Sequence, residues 1–372
     1  MTTIDFPQVL NHHPALQVAL IGYGGAGRIF HAPLVSGVPG LQLNCIVTSQ
    51  QAAVQSDWPG VRWVASANAA FNDPAIDLVV IATPNASHFK LAQSALNAGK
   101  HVLVDKPCTV TLADTDRLLA LAQARCRVLT VFQNRRFDSD FLALQQVIQS
   151  GALGRVVQVD SHFDRYRPSV PVRWREQAVP GSGLWLDLGS HLVDQALTLF
   201  GLPDDISLDL ATLRDGAQVN DWFHAVLRYT TRHGGLRVVL HASTLVAALG
   251  PRWAVHGTTG SFTKFGLDTQ EDNLKTGQRP QLHDLDGWGA DPQVGDLLSF
   301  ETIPGVTAPL SVRRAAPNPA GNYLSYYAQL RDHLWGMTPE PLVTPAQVRA
   351  VMQLLALGEQ SAAQGRYLAV TT

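Results

Sequence analysis

The sequence predicts an α/β half followed by an α+β half. Three observations carry that expectation. A glycine-rich turn directly follows an apolar strand near the N-terminus, strands then alternate with helices as far as Val131, and apolar residues recur at period two beyond Gln133. The first half, residues 1–132, reads as a parallel doubly wound sheet that binds a dinucleotide. The second, residues 133–372, reads as a domain built on an open antiparallel sheet, serving substrate binding and oligomerisation.

Composition bounds what such a chain does. Its 372 residues, 46% hydrophobic and 16% charged, suffice for two cores. A net charge of -2 offers no electrostatic footprint for nucleic acid or an acidic membrane, and neither is expected as a partner. No apolar run approaches the ~20 residues that span a bilayer, and the first residues lack the basic-then-apolar pattern of a secretion signal. Cys45, Cys108 and Cys126 stand far apart with no C-x-x-C pair, which reads as reduced, buried thiols in a cytoplasmic protein.

Residues 1–16 read as a loose leader, its pair His12-His13 solvated rather than metal-binding. Val18 to Ile21 is a buried strand, and Gly22, Gly24 and Gly27 follow in the order G-x-G-x-x-G. The first glycine allows the tight turn, the second lets backbone approach a pyrophosphate, and the third lets helix pack on strand. Gly25, Ala26 and Arg28 complete the turn, where the opening helix offers unpaired N–H groups to an anion. Alone, such a turn can also simply shape a loop; the alternation after it argues for a ligand.

Leu41 to Val47 is the second strand, and where an acid would hold the ribose hydroxyls of NAD the chain has Thr48 and Ser49 instead. No carboxylate follows until Asp57, so the site favours NADP, with NAD as the alternative and Arg28 a neutralising cation. Strands at Arg62–Ala65, Asp77–Ala82, Lys100–Val104 and Arg127–Val131 complete the set, with helices between them. Thr111 and Asp114 make a capping-box start for one of these. Ligands bind outside the carboxyl ends of such strands, where Thr83, Asn85, His88, Asp105 and Lys106 fall.

Beyond a helix near 138–150, the stretch 155–163 places Val157, Val159 and Phe163 on one face and Gln158, Asp160 and His162 on the other. Further strands are expected at 206–211, 222–229, 236–243 and 253–256, and helices at 323–336 and from Thr344. The last starts Thr344-Pro345-Ala346-Gln347, with proline at its first position and a capping glutamine two residues on. Residues 268–319 read as loop. Between these lies Asp187-x-x-x-His191-x-x-Asp194, whose side chains share a helix face within about 60°. Such a stripe fits a solvated face, a structural His–Asp contact or a proton-transfer site. A metal site is not expected there, because no further His or Cys stands at ligand spacing.

Taken together, these stretches resemble the Gfo/Idh/MocA family of nicotinamide-dependent sugar and polyol oxidoreductases. The resemblance rests on Gly22 to Arg28 with Phe30-His31-Ala32-Pro33, Ala82-Thr83-Pro84-Asn85 with His88, Ala98 to Pro107, Asn134-Arg135-Arg136, and Asp187-x-x-x-His191. Within the family the chain resembles the bacterial NADP-dependent scyllo-inositol dehydrogenases, through 161–168, 174–177 and 319–323. Asp105 stands where the family pattern has glutamate before Lys-Pro. The resemblance implies hydride transfer between NAD(P) and a ring hydroxyl or ketone of a cyclic polyol or sugar. It makes His191 the base, Asp187 its orienting or hydroxyl-binding partner and Lys106 the cation at the reacting oxygen. It also implies a cis bond before Pro107 and hydroxyl recognition by Asn134, Asp164 and Tyr323, for each of which an ordinary structural role is the alternative; the open C-terminal sheet is the expected face of a homodimer or homotetramer. An aldose or other sugar dehydrogenase or reductase and a non-catalytic nucleotide sensor remain the alternatives.

Overall fold

The computed structural model describes residues 13–230, 233–302, 304 and 308–371. The leader through His12 lies outside the described residues; His13 stacks on Trp335 with ring centroids 5.0 Å apart. The chain forms two compact units. The first is Met1–Asn134 with Gln270–Trp288 and Asn322–Arg349, the second Arg135–Thr269 with Gly289–Gly321 and Ala350–Thr372. Two segments from the C-terminal half therefore join the first unit, an arrangement that a single boundary near residue 132 does not express.

In the first unit, β1 (Leu16–Ile21), β2 (Leu41–Val47), β3 (Arg62–Val64), β4 (Leu78–Ile81), β5 (His101–Val104) and β6 (Leu129–Val131) form one sheet in the order β3-β2-β1-β4-β5-β6. Every pairing is parallel, and the order is that of a dinucleotide-binding sheet. Successive residues Val18, Ala19, Leu20 and Ile21 are all buried, as expected when both faces are covered. One face packs Ala19, Ile21, Val79, Ile81, Val102 and Val104 against Ala92, Ala95 and Leu96 of a helix (His88–Asn97) and Leu118 and Ala122 of another (Leu112–Ala124). Thr111 caps the latter by accepting from the Asp114 amide at 3.1 Å. The glycine turn leads into a helix whose first turn, Gly27–His31, is widened to π type before α1 (Ala32–Ser36).

The second unit carries a nine-stranded sheet in the order β14-β13-β12-β11-β7-β10-β9-β8-β15. Its strands are β7 (Val156–His162), β8 (Asp205–Ala211), β9 (Trp222–Tyr229), β10 (Leu236–Ser243), β11 (Trp253–Gly257), β12 (Gly260–Lys264), β13 (Asp296–Glu301), β14 (Leu310–Ala315) and β15 (Leu368–Ala369). The sheet is mostly antiparallel, but β7 and β10 pair in parallel, which makes it mixed. Alternation along a strand reports which face is wet and is silent on neighbour direction. Val159, Phe223, Ala225, Leu227, Val238, Leu240 and Val255 form the buried face, while Asp160, His162, Trp222, His224, Val239 and His241 lie half-buried on the other. Strands β13 and β14 replace loop expected within 268–319; β14 hides no apolar face, so its sequence carries no strand period. The final long helix (Pro345–Gln364) starts with the expected reciprocal cap, Thr344 and Gln347 exchanging bonds of 3.1 and 3.3 Å.

Cys45 and Cys108 are buried as expected, but Cys126 is exposed: it follows a helix end in a left-handed turn with φ 52°. No described helix is long and apolar enough to cross a membrane.

Candidate active site

The glycine motif does in space what its order implies. Gly22 has φ 99°, and a Cβ there would lie 2.6 Å from the Ala82 carbonyl oxygen. At Gly27 a Cβ would stand 2.1 Å from the Gly22 carbonyl oxygen, so helix meets strand only through glycine. Gly24, in contrast, has no atom within 4 Å of a built Cβ and opens onto a cleft of about 580 Å³. That free space beside exposed backbone fits a pyrophosphate. Tyr23, Gly25, Arg28, Gln50, Asp57 and Trp58 line the cleft together with residues 274–279.

This wall corrects the expectation of an acid-free site. Asp57 lines the cleft, accepting from the Tyr23 hydroxyl at 2.7 Å and pairing with Arg28 at 2.8 Å. Burial alone would raise its carboxyl, but bonds from Tyr23 and Arg28 and the charge of Arg279 hold it below the usual carboxylate range. Burial, reinforced by Asp57, pushes the Tyr23 phenol up to about 12, so it remains a donor. Thr48 is half-buried and its hydroxyl accepts from the Gln50 amide at 3.1 Å, while Ser49 is exposed. Neither lines the cleft; Gln50 does. Arg279 stacks over Trp58 at 4.0 Å, a contribution that sequence reasoning missed because 222 residues separate it from Asp57. Three cations, Arg28, Lys275 and Arg279, thus share the cleft with one carboxylate.

At the carboxyl end of β5, Asp105 and Lys106 are buried and the Lys106–Pro107 bond is cis. The Asp105 Oδ1 accepts from the Lys106 amide at 2.8 Å. Burial opposes its charge, yet His31, Lys106 and His88 together bring its carboxyl from 3.8 down to about 2. His88 is wholly buried, its Nδ1 3.0 Å from the Pro107 carbonyl and its Nε2 2.8 Å from that of Thr83. The expected cofactor contact at His88 is therefore corrected. The imidazole braces the ends of β4 and β5, and burial lowers its pKa, favouring the neutral ring. Asn85 is nearly as buried, and Thr83 Oγ1 lies 2.6 Å from Ser87 Oγ.

In the second unit a π-type turn, Trp185–Gly189, runs into a helix, Ser190–Phe200. Asp187 lies on the turn, partly exposed, with Arg175 3.6 Å from its Oδ1. His191 is buried at the start of the helix. Asp194 leaves the expected stripe for a structural role, taking two bonds from the Arg136 guanidinium at 2.8 and 2.6 Å. Beside Asp187, Arg214 joins Glu176 at 2.6 Å and Asp221 at 2.9 Å, a buried charge network that its scattered residues gave no reason to expect.

The three residues expected to recognise hydroxyls have different surroundings. Asn134 is buried at the end of the first unit. Tyr323 is wholly buried, packed at 6.3 Å against Phe30 with its amide bonded to Gln270; this corrects its assignment, since no surface is left for a ligand. Asp164 lies between His162 and His241, at 3.2 and 3.4 Å.

A parallel sheet in this strand order, with a glycine cradle over an open cleft, defines a dinucleotide-binding fold. Residues 16–133 match the oxidoreductase family with an NAD-binding Rossmann fold, and residues 141–263 match the Gfo/Idh/MocA C-terminal domain. The chain belongs to the Gfo/Idh/MocA family. It is 51% identical over 347 residues to YdgJ, an uncharacterized oxidoreductase of Escherichia coli, covering 93% of this chain and 96% of that one. It is 35% identical to IolW of Bacillus subtilis, a scyllo-inositol 2-dehydrogenase (NADP(+)), covering 93% and 94%. A solved structure from Yersinia pestis, 48% identical, superposes with a TM-score of 0.88 over 96% of this chain and 98% of that chain. An NAD-binding protein from Listeria innocua, 27% identical, gives 0.80 over 96% and 100%.

Proposed function

We propose that the chain catalyses NAD(P)-dependent interconversion of a ring hydroxyl and ketone in a cyclic polyol or sugar, as an inositol dehydrogenase does. The observation that carries this reading is the buried Asp105-Lys106-Pro107 turn at the end of β5, in a chain that also has Asp187 and His191 at a helix start. A protein that only sensed nucleotide would have no use for all three polar groups. The naming of IolW for scyllo-inositol supports the polyol class for this chain.

The glycine turn would hold the cofactor pyrophosphate through backbone N–H groups, with Gly24 giving the open approach. Bound nicotinamide supplies the hydride acceptor or donor. His191 takes the hydroxyl proton during oxidation and returns it during reduction, a role for which an imidazole suits neutral pH. Lys106 supplies a cation suited to stabilising negative charge that develops on a substrate oxygen. Asp187 orients the histidine or accepts from a neighbouring substrate hydroxyl, with the Arg175 guanidinium 3.6 Å from its Oδ1. Asn134 is retained as a hydroxyl-recognition residue.

NADP is the preferred cofactor on this reading, supported by three cations against one carboxylate in the cleft and by the NADP(+) in the name of IolW. Arg28→Ala should raise the KM for NADP by about tenfold or more, the worth of a charge-assisted bond, and change that for NAD little. Equal effects on both cofactors would move the 2′-phosphate away from Arg28. Turnover of a panel of polyols and sugars tests the reaction class.

A further inference from the structure

Three adjacent strands bring histidines into one row on the half-buried face of the C-terminal sheet. His162 of β7 is registered with His241 of β10, and His241 with His224 of β9. The ring centroids are 5.1 Å apart for His162 and His241 and 5.8 Å for His241 and His224. Asp164, two residues past His162, turns its carboxylate between the first two rings. We propose that His162, Asp164 and His241 form a site for one divalent transition-metal ion of the zinc class.

The donor set comes first. Two imidazoles and a carboxylate suit zinc and its neighbours and do not suit magnesium or calcium, which take oxygen ligands. Geometry agrees. Ligand atoms bound tetrahedrally at about 2.0–2.1 Å stand about 3.3 Å from one another. Here His162 Nδ1 is 3.2 Å from one Asp164 oxygen and His241 Nε2 is 3.4 Å from the other, with all three ligand atoms within 4.8 Å. Among the described residues this is the one group of three such side chains so disposed.

Burial adds an independent argument. The Asp164 side chain is only 9% exposed, yet its Oδ1 has no hydrogen-bond partner, a costly arrangement for a carboxylate. The His241 ring packs edge-on against Trp222, their centroids 5.5 Å apart, and its Nδ1 is buried, so the ring is fixed with Nε2 toward Asp164. His162, one-third exposed, leaves room for a water as fourth ligand.

The test is metal binding by the full chain, with Cys126→Ser throughout so that the exposed thiol is not counted. Zn²⁺ titrated calorimetrically after chelator treatment should bind at one ion per chain, with metal analysis after dialysis agreeing and Mg²⁺ giving no heat. His241→Ala should weaken binding by about 100-fold or more, since even the outer partners of metal ligands contribute 10–100-fold. His162→Gln, at the more exposed position, repeats the test should His241→Ala fail to fold, and His256→Ala on β11 serves as a control expected to keep the site. Absence of stoichiometric Zn²⁺ binding, or undiminished affinity in the folded His162 and His241 variants, overturns the proposal. Because the readout is bound metal, the result does not depend on the reaction proposed above.

Discussion

His191 carries the proposed proton transfer, and its removal should be visible in rate and not in cofactor affinity. His191→Ala is expected to lower kcat by about 10²–10⁴-fold, with NADP binding by fluorescence unchanged. Turnover near that of the wild type would remove His191 from the mechanism. Asp105 offers a different test because its carboxyl is held at about 2 against an ordinary 3.8. A depressed pKa stabilises the folded state above the unfolded value and loses that contribution as pH falls through the folded one. Asp105→Asn should therefore melt earlier at neutral pH, and its deficit should close between about pH 4 and pH 2. A deficit independent of pH over that window would assign the loss to packing.

At the scale of elements, the parallel strands, the glycine turn and both capped helices could be read from sequence because each has a local cause. Buried runs, Gly22 with its left-handed φ and the Thr111–Asp114 bond all lie within a few residues of chain. What could not be read depends on distant partners. Asp57 joins the cleft through Tyr23 and Arg28, the parallel pairing of β7 with β10 needs the intervening strands, and Tyr323 and His88 reveal their burial only in three dimensions. The glycines separate the two kinds of cause experimentally. Gly27→Ala drives a methyl onto the Gly22 carbonyl and should lower stability by about 1–3 kcal/mol, seen as a lower melting midpoint. Gly24→Ala meets nothing in the protein, so the midpoint should hold while the Kd for NADP rises. A lower midpoint for Gly24→Ala with unchanged cofactor affinity would assign that glycine to folding alone.

For the whole molecule, family membership places the chain among NAD(P)-binding oxidoreductases. The half-buried face of the nine-stranded sheet, with Val226 paired to Val239, is where the expected homodimer or homotetramer would form. Sedimentation should give a species larger than the 40.3 kDa chain, and Val239→Glu should shift it toward monomer. A wild-type monomer would leave that face without the assembly role. The most direct test of the central reading is the purified chain against a panel of inositols, inososes and pyranoses with NADP(H) and NAD(H), followed at the nicotinamide absorbance. The expected result is cofactor-dependent turnover of at least one ring alcohol or ketone that His191→Ala abolishes. Tight cofactor binding with no turnover across the panel would contradict it and leave a nucleotide-binding protein without this chemistry.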